Sequence, residues 1–233
     1  MQYLPVALPF FLIFWFLAAV LIGLIQIGIL RYVFERMGVP PRYLFFLLVL
    51  SLLGSYVNIP VAQLPAEPMQ TGQIVDFFGM QYIVPVVINQ PGTVIAVNVG
   101  GALVPTLLSL YLIVRHGLLF VCVPAIAIVA FAVHLLAHAV PGVGIAVPIF
   151  YPPIITAAVA LMLSPLRAGP LAYVAGSIGT LIGADLMNLG RIRGLGAPVA
   201  SIGGAGKFDG IFLTGLVAVM LAGLLGGRRR RLA

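Results

Sequence analysis

The chain has 233 residues, of which 62% are hydrophobic and only 7% charged, and its formal net charge is +7. Because soluble domains have roughly a quarter of their residues charged, this composition excludes an ordinary water-soluble globule. The basic residues stand in small groups between apolar runs rather than along one face, which argues against nucleic acid as a partner. We expect residues 1–233 to form a single integral membrane domain with the lipid bilayer as its main partner.

Seven charge-poor segments are long enough to cross a bilayer core about 30 Å thick as helices. They cover residues 5–30, 43–64, 93–114, 117–139, 148–166, 170–189 and 210–227. The first has no basic residues ahead of it and exceeds the length of a signal-peptide core, so it is predicted to be retained. Segment 148–166 begins with several prolines and is either a full span or a re-entrant one. The predicted fold class is therefore all-α, a polytopic transmembrane helix bundle of about seven spans.

Residues 65–92, between the second and third spans, have a different pattern. Aromatic and β-branched residues flank Gly79 and Met80, which predicts a short β-hairpin on the outer side. This hairpin could act as a lid, although a structural cap is the simpler role.

The basic residues predict the orientation of the chain. With seven spans, nine of the twelve fall on one side of the bilayer. They are Arg31, Arg36, Arg42, Arg115, Arg167 and the four arginines of residues 228–231. The positive-inside rule then places the amino terminus outside and the carboxyl terminus in the cytoplasm. The single cysteine, Cys122, lies within a span, so no intrachain disulfide can form, and packing is its expected role.

Two aspartates lie in or at the ends of predicted spans, where a charge is costly and marks a functional candidate. Asp185 stands about one helical turn inside the outer end of the sixth span, and Asp209 stands at the first turn of the seventh. Because these spans are consecutive and antiparallel, both carboxyls are expected at the outer level and could meet. In the simpler alternative Asp209 is a helix N-cap, and Asp185 pairs with Arg191 or Arg193.

Glycines surround Asp209 in the segment GGAGKFDG. Gly203, Gly204 and Gly206 would let backbone N–H groups approach a substrate, or let another helix pack closely. The Pro- and Gly-broken segment 140–153 cannot be a regular helix, and such a segment at membrane depth lines a cavity or lies buried in protein. Asn98 and Asn188 are candidate polar lining of this cavity, although each could instead bond helix to helix.

His134 and His138 are four residues apart in the fourth predicted span and are therefore expected on one helical face near its outer end. Two imidazoles at this spacing could share a metal ion, with Asp185 or Asp209 completing the site. Interfacial hydrogen bonding is the alternative role. No other cofactor is predicted.

Four strings of the sequence resemble an uncharacterised prokaryotic family of multi-pass membrane proteins, known only as a domain of unknown function. They are TVIAVNVGGA at 93–102, PGVGIAVP at 141–148, GADL at 183–186 and GAPVASIGGAGKFDGIF at 196–212. This resemblance covers most of the chain after the second span. It implies a prokaryotic cytoplasmic membrane protein and supplies no activity.

Asp185 and the Gly204–Asp209 segment are also partly similar to the paired motifs of the GxGD intramembrane aspartyl proteases, which include presenilin, signal peptide peptidase and prepilin peptidase. This similarity implies a catalytic dyad of Asp185 and Asp209 in which two close carboxylates share one proton. The chain departs from that family because Lys207 and Phe208 separate the glycines from Asp209, Ala184 replaces a tyrosine, and no Pro-Ala-Leu motif follows.

Three functions therefore stand open at this point. An aspartyl protease-like enzyme would act on a membrane-protein substrate through Asp185 and Asp209. A transporter or binding protein would hold a small solute or ion between its broken helices. A non-catalytic membrane scaffold would use the same helices only for packing.

Overall fold

The computed structural model describes residues 8–65, 68–77, 80–89, 92–140, 144–192, 199–204 and 210–229. The chain is mostly helical in these ranges. The α-helices are α1 (Leu8–Met37), α2 (Leu44–Gly54), α3 (Val104–His116), α4 (Leu119–Leu136), α5 (Tyr151–Leu163), α6 (Ala168–Thr180) and α7 (Gly210–Arg229). Asp209 and Gly206, which the sequence analysis places at the candidate site, lie outside the described residues, as does Arg193.

Short strands join the helices. They are β1 (Asn58–Gln63), β2 (Pro68–Phe77), β3 (Met80–Asn89), β4 (Val94–Asn98), β5 (His138–Val140), β6 (Gly144–Ala146) and β7 (Val199–Ile202). One small sheet has the order β1-β4-β7, in which β1 is antiparallel and β7 parallel to β4. The other strands form two antiparallel hairpins, β2-β3 and β5-β6.

Helix α6 lies at the centre of the bundle because its sequence is built largely from small residues. Every residue from Leu171 to Ser177 is buried. A Cβ added to Gly176 would lie 3.3 Å from the Cα of Gly215 in α7, so these two backbones touch. By contrast, only 28% of the apolar helix Leu119–Leu136 is buried, and Phe120 is 90% exposed. The bundle thus has an interior helix surrounded by helices with apolar outer faces.

The two ends of the bundle differ in chemistry. At one end, which we call the basic end, Arg167 Nη1 donates a hydrogen bond to the carbonyl of His116 (2.7 Å), and His116 Nε2 lies 3.1 Å from the carbonyl oxygen of Met37. Arg36 borders the same region, because its carbonyl lies directly against Gly169. The opposite end, the strand end, holds the sheet β1-β4-β7, the β5-β6 hairpin and the start of α7.

Among the described residues, three helical segments are long and apolar enough to cross a membrane: Val99–His116, Leu119–Leu136 and Pro165–Arg191. Shorter apolar helices cover Pro41–Gly54, Tyr151–Leu163 and Gly210–Gly226. In the second predicted span the helix is shorter than the apolar run, because α2 ends at Gly54 and β1 follows. The third predicted span likewise begins as strand β4, because Asn58 and its neighbours in β1 pair with this segment.

The predicted outer hairpin is confirmed as a hairpin, with β2 and β3 in register from the pair Pro68 and Asn89 to the pair Phe77 and Met80. The prediction that 140–153 is not a regular helix is also correct. Part of this segment forms β5-β6, and α5 begins only at Tyr151. Pro152 and Pro153 then occupy the first turn of α5, where a missing N–H costs no helical hydrogen bond.

Candidate functional site

Asp185 lies where α6 stops being an α-helix. Leu181–Asp185 form a π-helical turn, and Leu186–Arg191 continue as a 3₁₀-helix. The amide of Asn188 donates to the carbonyls of Gly183 (2.8 Å) and Ala184 (2.9 Å), which the change of helix type would otherwise leave unbonded. Gly183 sits directly on the carbonyl of Ala130 in α4, where there is no room for a Cβ. Such π turns in helices are common at functional sites.

The carboxylate of Asp185 contacts the backbone just after strand β7. Its Oδ2 accepts a hydrogen bond of 2.6 Å from the N–H of Gly203. Gly203 follows strand β7 and has φ of 80°, a conformation that favours glycine. A Cβ at this position would lie only 2.6 Å from the amide nitrogen of Ala102. The sequence therefore places a glycine where the backbone must turn between Asp185 and the start of α3.

A second π-helical turn, Val99–Leu103, leads from β4 into α3 beside Gly203. Asn98 organises it: the side-chain Oδ1 accepts from the N–H of Gly101 (2.8 Å), and Nδ2 donates to the carbonyl of Ser55 (2.8 Å) and to Asn58 Oδ1 (3.1 Å). Ser201 of β7 donates to the same Asn58 oxygen at 2.5 Å. These bonds tie the three strands of the sheet to the turn that packs against Gly203.

A cleft of about 140 Å³ lies beside Asp185 at the strand end. Its walls come from the β5-β6 hairpin, the start of α5, the end of α6, the glycine turn and the first turns of α7. The described lining residues are Ile145, Val147, Pro148, Ile149, Pro152, Thr180, Ala184, Asp185, Gly203, Gly204, Gly210, Ile211 and Thr214. Asp185 is the one charged side chain among them, so the described part of the cleft has an acidic and otherwise mostly apolar wall.

Gly203 and Gly204 line this cleft with Asp185, so the structure brings together three of the residues that the sequence analysis places at the site. Asn98 and Asn188 do not line it. They are 3% and 0% exposed, and both hold the π-helical turns together. The sequence analysis did not identify Thr180 and Thr214. The signal that could have indicated them is a threonine near each candidate aspartate, inside an apolar helix.

The predicted placement of the two histidines on one helical face is wrong. Helix α4 ends at Leu136, so His134 lies in its last turn while His138 belongs to strand β5. His138 is exposed, and its Nδ1 lies 3.0 Å from the carbonyl oxygen of Leu136. No group of three or more His, Cys, Asp or Glu residues is assembled for a metal ion in the described part of the chain.

Comparison with known proteins yields one match. A family described as a protein of unknown function, DUF1614, matches residues 52–221. These residues include the sheet, both π-helical turns and the described walls of the cleft. No curated protein and no solved structure matches the chain.

Proposed function

Since the chain belongs to the DUF1614 family, whose function is unknown, we infer its activity from the site and propose that it is a multi-pass membrane protein that binds and carries a small cation at the Asp185 cleft. The observation that carries the proposal is the geometry of Asp185. A carboxylate lies at a break in the central helix, in a small cleft bordered by the start of another helix.

The outer faces of the helices support a membrane location. Large apolar side chains are exposed on several helices, and a soluble protein rarely exposes contiguous apolar patches of more than a few hundred Å². They include Phe45, Phe46, Leu52 and Leu53 of α2, Phe120, Val123, Phe131 and Leu135 of α4, and Ile154 and Met162 of α5. A lipid environment removes the cost of this exposure.

The basic end supports an orientation. Arg36, His116 and Arg167 come from three distant parts of the sequence and meet at that end. By the positive-inside rule this end faces the cytoplasm of a prokaryotic cell, with the amino terminus and the Asp185 cleft on the outer side.

The charge of the cleft favours a cation. A carboxylate at membrane depth is expensive and is usually part of a substrate or ion path. Asp185 is the charged side chain among the described lining residues, so the described wall of the cleft is acidic and would attract a cation. Thr180 and Thr214 also line the cleft and carry hydroxyl oxygens, a ligand type that hard cations prefer.

The volume of the cleft favours a small occupant. Its 140 Å³ is close to the volume of about 150 Å³ that accommodates a benzene-sized molecule. Sites for drug-sized ligands are roughly 300–1,000 Å³. A proton, an alkali cation or a small ammonium ion fits this space, whereas an extended peptide segment does not.

An interrupted helix at the cleft supports transport rather than binding alone. Transporters commonly place their sites where helices break, because unwound backbone can coordinate an ion and the two halves can move separately. Here the break in α6 at Asp185 faces the first turns of α7. Movement of α6 at this break would open or close the contact between Asp185 and Gly203.

Cation-dependent stability tests the proposal directly. The purified protein, in a buffer whose only cation is N-methylglucamine, is titrated with Li⁺, Na⁺, K⁺ or methylammonium while its thermal unfolding is followed. A bound cation at about a hundredfold its Kd stabilises the folded state by about 2.7 kcal/mol. We expect at least one cation to raise the unfolding temperature of the wild type but not of Asp185→Asn, whose amide can still accept from Gly203.

Glu35→Gln is the matched control, because Glu35 loses the same charge in an exposed ion pair with Arg31. This variant should retain the full stabilisation. Equal stabilisation of the wild type and Asp185→Asn by every cation would contradict a site at Asp185.

A second candidate function is intramembrane aspartyl hydrolysis. The supporting observation is that Gly210, the residue after Asp209, lines the same cleft as Asp185. The small volume of the cleft makes hydrolysis the second candidate, because a peptide would require the cleft to open. Asp209→Asn separates the two roles of that residue. Loss of cleavage of labelled transmembrane peptides with retained folding supports a dyad, whereas unchanged cleavage contradicts it.

A further inference from the structure

Three hydroxyl groups are buried without a hydrogen-bond partner between α5, α6 and α7. They belong to Thr180 and Ser177 of α6 and to Thr156 of α5, and their oxygen atoms contact no donor or acceptor within hydrogen-bond distance in the described part of the chain. Ser177 and Thr156 are 0% exposed, and Thr180 is 5% exposed. Most buried hydroxyls in proteins have a partner, so three at one helix junction require an explanation.

These hydroxyls form a series that begins at the cleft. Thr180 lines the cleft with Asp185. Ser177 lies three residues earlier in α6, about 4.5 Å further along the helix axis and on the same side of the helix. Its Oγ lies against Gly215 of α7, where an added Cβ would come within 2.5 Å of it.

Thr156 continues the series one helix further. Its methyl group lies 3.2 Å from the position of a Cβ on Gly176, the neighbour of Ser177. Gly176 and Gly215 also touch, so α5, α6 and α7 meet at this level. The small residues thus bring the three helices close together at the level of these hydroxyl groups.

If the hydroxyl groups had no further role, apolar side chains at this junction would make the folded protein more stable. A buried hydroxyl without a partner loses its hydrogen bonds to water and gains none in return. Alanine or valine would fit the same positions without this penalty, and a partly satisfied polar cluster is less stable than an apolar one. The arrangement is therefore explained by partners that are not protein atoms.

We propose that Thr180, Ser177 and Thr156 line a narrow hydrated track, which leads from the Asp185 cleft into the bundle and conducts a small cation between α5, α6 and α7. Hydroxyl oxygens and water replace the hydration shell of a hard cation along the track. The inference rests on the proposed function, since the cation would reach the track through the Asp185 cleft. It adds the direction of the path, towards the basic end.

Accessibility to Ag⁺ tests the track without an assay of activity. Ag⁺ is a small monovalent cation that binds thiolates tightly, as soft metals do. In a Cys122→Ala background, Thr180→Cys, Ser177→Cys and Thr156→Cys are made singly and reconstituted in vesicles. After exposure to Ag⁺ the protein is denatured, and the remaining free thiols are labelled with a maleimide. Size-exclusion chromatography in detergent selects the variants that remain folded.

Ala175→Cys is the matched control, because Ala175 is 0% exposed and lies two residues from Ser177 on the opposite side of α6. The track predicts that Ag⁺ blocks all three test positions at least about tenfold faster than Ala175→Cys. If Thr180→Cys reacts while Ser177→Cys and Thr156→Cys are as slow as the control, the track is wrong and the cleft remains. If Thr180→Cys is also unreactive, the cleft itself is closed to cations and both proposals fail.

Discussion

At Gly203 a single backbone position serves both the fold and the site. Its N–H binds Asp185, its φ is 80°, and a Cβ would come within 2.7 Å of three atoms of Gly101 and Ala102. Gly203→Ala should therefore lower the free energy of unfolding by about 2–4 kcal/mol, the sum of a left-handed backbone penalty and overpacking. Equilibrium unfolding in detergent measures this change.

Gly28→Ala is the control for that substitution. Gly28 lies in α1, has a helical backbone, and has no atom within 4 Å of an added Cβ. Alanine should therefore leave stability unchanged or raise it by up to about 1 kcal/mol. A Gly203→Ala protein as stable as Gly28→Ala would contradict the described turn.

Removal of the Ser177 hydroxyl distinguishes two explanations, because they predict opposite signs for the change in the free energy of unfolding. If water or a cation satisfies it, Ser177→Ala removes a real partner and lowers the free energy of unfolding by about 1 kcal/mol. If it has no partner, the same change relieves a desolvation penalty and raises stability. Ser109 of α3 is the comparison, because its hydroxyl is also buried and lacks a partner in the described residues but lies outside the junction of α5, α6 and α7. Ser109→Ala should be neutral or stabilising, and identical signs at both positions would contradict the track.

Among the elements, the break in α6 determines where Asp185 points. Asn188 holds it with two hydrogen bonds to the carbonyls of Gly183 and Ala184. Asn188→Asp removes both donors at nearly constant volume and adds charge, so it should cost about 2–5 kcal/mol and abolish cation-dependent stabilisation. Asn188→Gln restores a donor on a longer side chain and should recover part of the loss. Wild-type cation response in Asn188→Asp would show that the break does not position the site.

The sequence predicts helices better than it predicts this break. The apolar run before Asp185 indicates a helix, and the glycines indicate close packing, but a π-helical turn depends on non-local contacts such as Gly183 against Ala130. The same limit applies to the sheet. Strands β4 and β7 are separated by about a hundred residues, so their parallel pairing is not visible in local periodicity. The hairpin β2-β3, whose strands are adjacent in sequence, could be predicted as a pair.

At the scale of the whole molecule, the distribution of basic residues predicts an orientation that fusions can measure. A green fluorescent protein fused to the carboxyl terminus should fluoresce, because the predicted orientation places that end in the cytoplasm. Alkaline phosphatase fused after Leu136, at the strand end of α4, should be active, because the same orientation places this site outside. An active phosphatase at the carboxyl terminus, or an inactive one after Leu136, would invert or remove the proposed topology.

Composition predicts a helical membrane protein, because 7% charged residues cannot cover a soluble surface, and the described residues are mostly helical. It could not predict which helix is central. That depends on the small residues of α6, whose neighbours approach closely enough to bury Tyr173 and Val174 completely. The site is only partly predictable from the sequence. An aspartate in an apolar segment stands out, whereas Thr180 and Thr214 resemble other helix residues and are identified only by their position in the cleft.

Cation flux in proteoliposomes tests the central claim most directly. Vesicles containing the wild type, Asp185→Asn or Glu35→Gln are given an inward gradient of one cation at a time, namely H⁺, Li⁺, Na⁺, K⁺ or methylammonium, and uptake is followed by an internal dye. We predict that the wild type and Glu35→Gln dissipate at least one gradient, while Asp185→Asn is no faster than empty vesicles. Equal rates in the wild type and Asp185→Asn, or no flux of any of these cations through the wild type, would contradict transport through the Asp185 cleft.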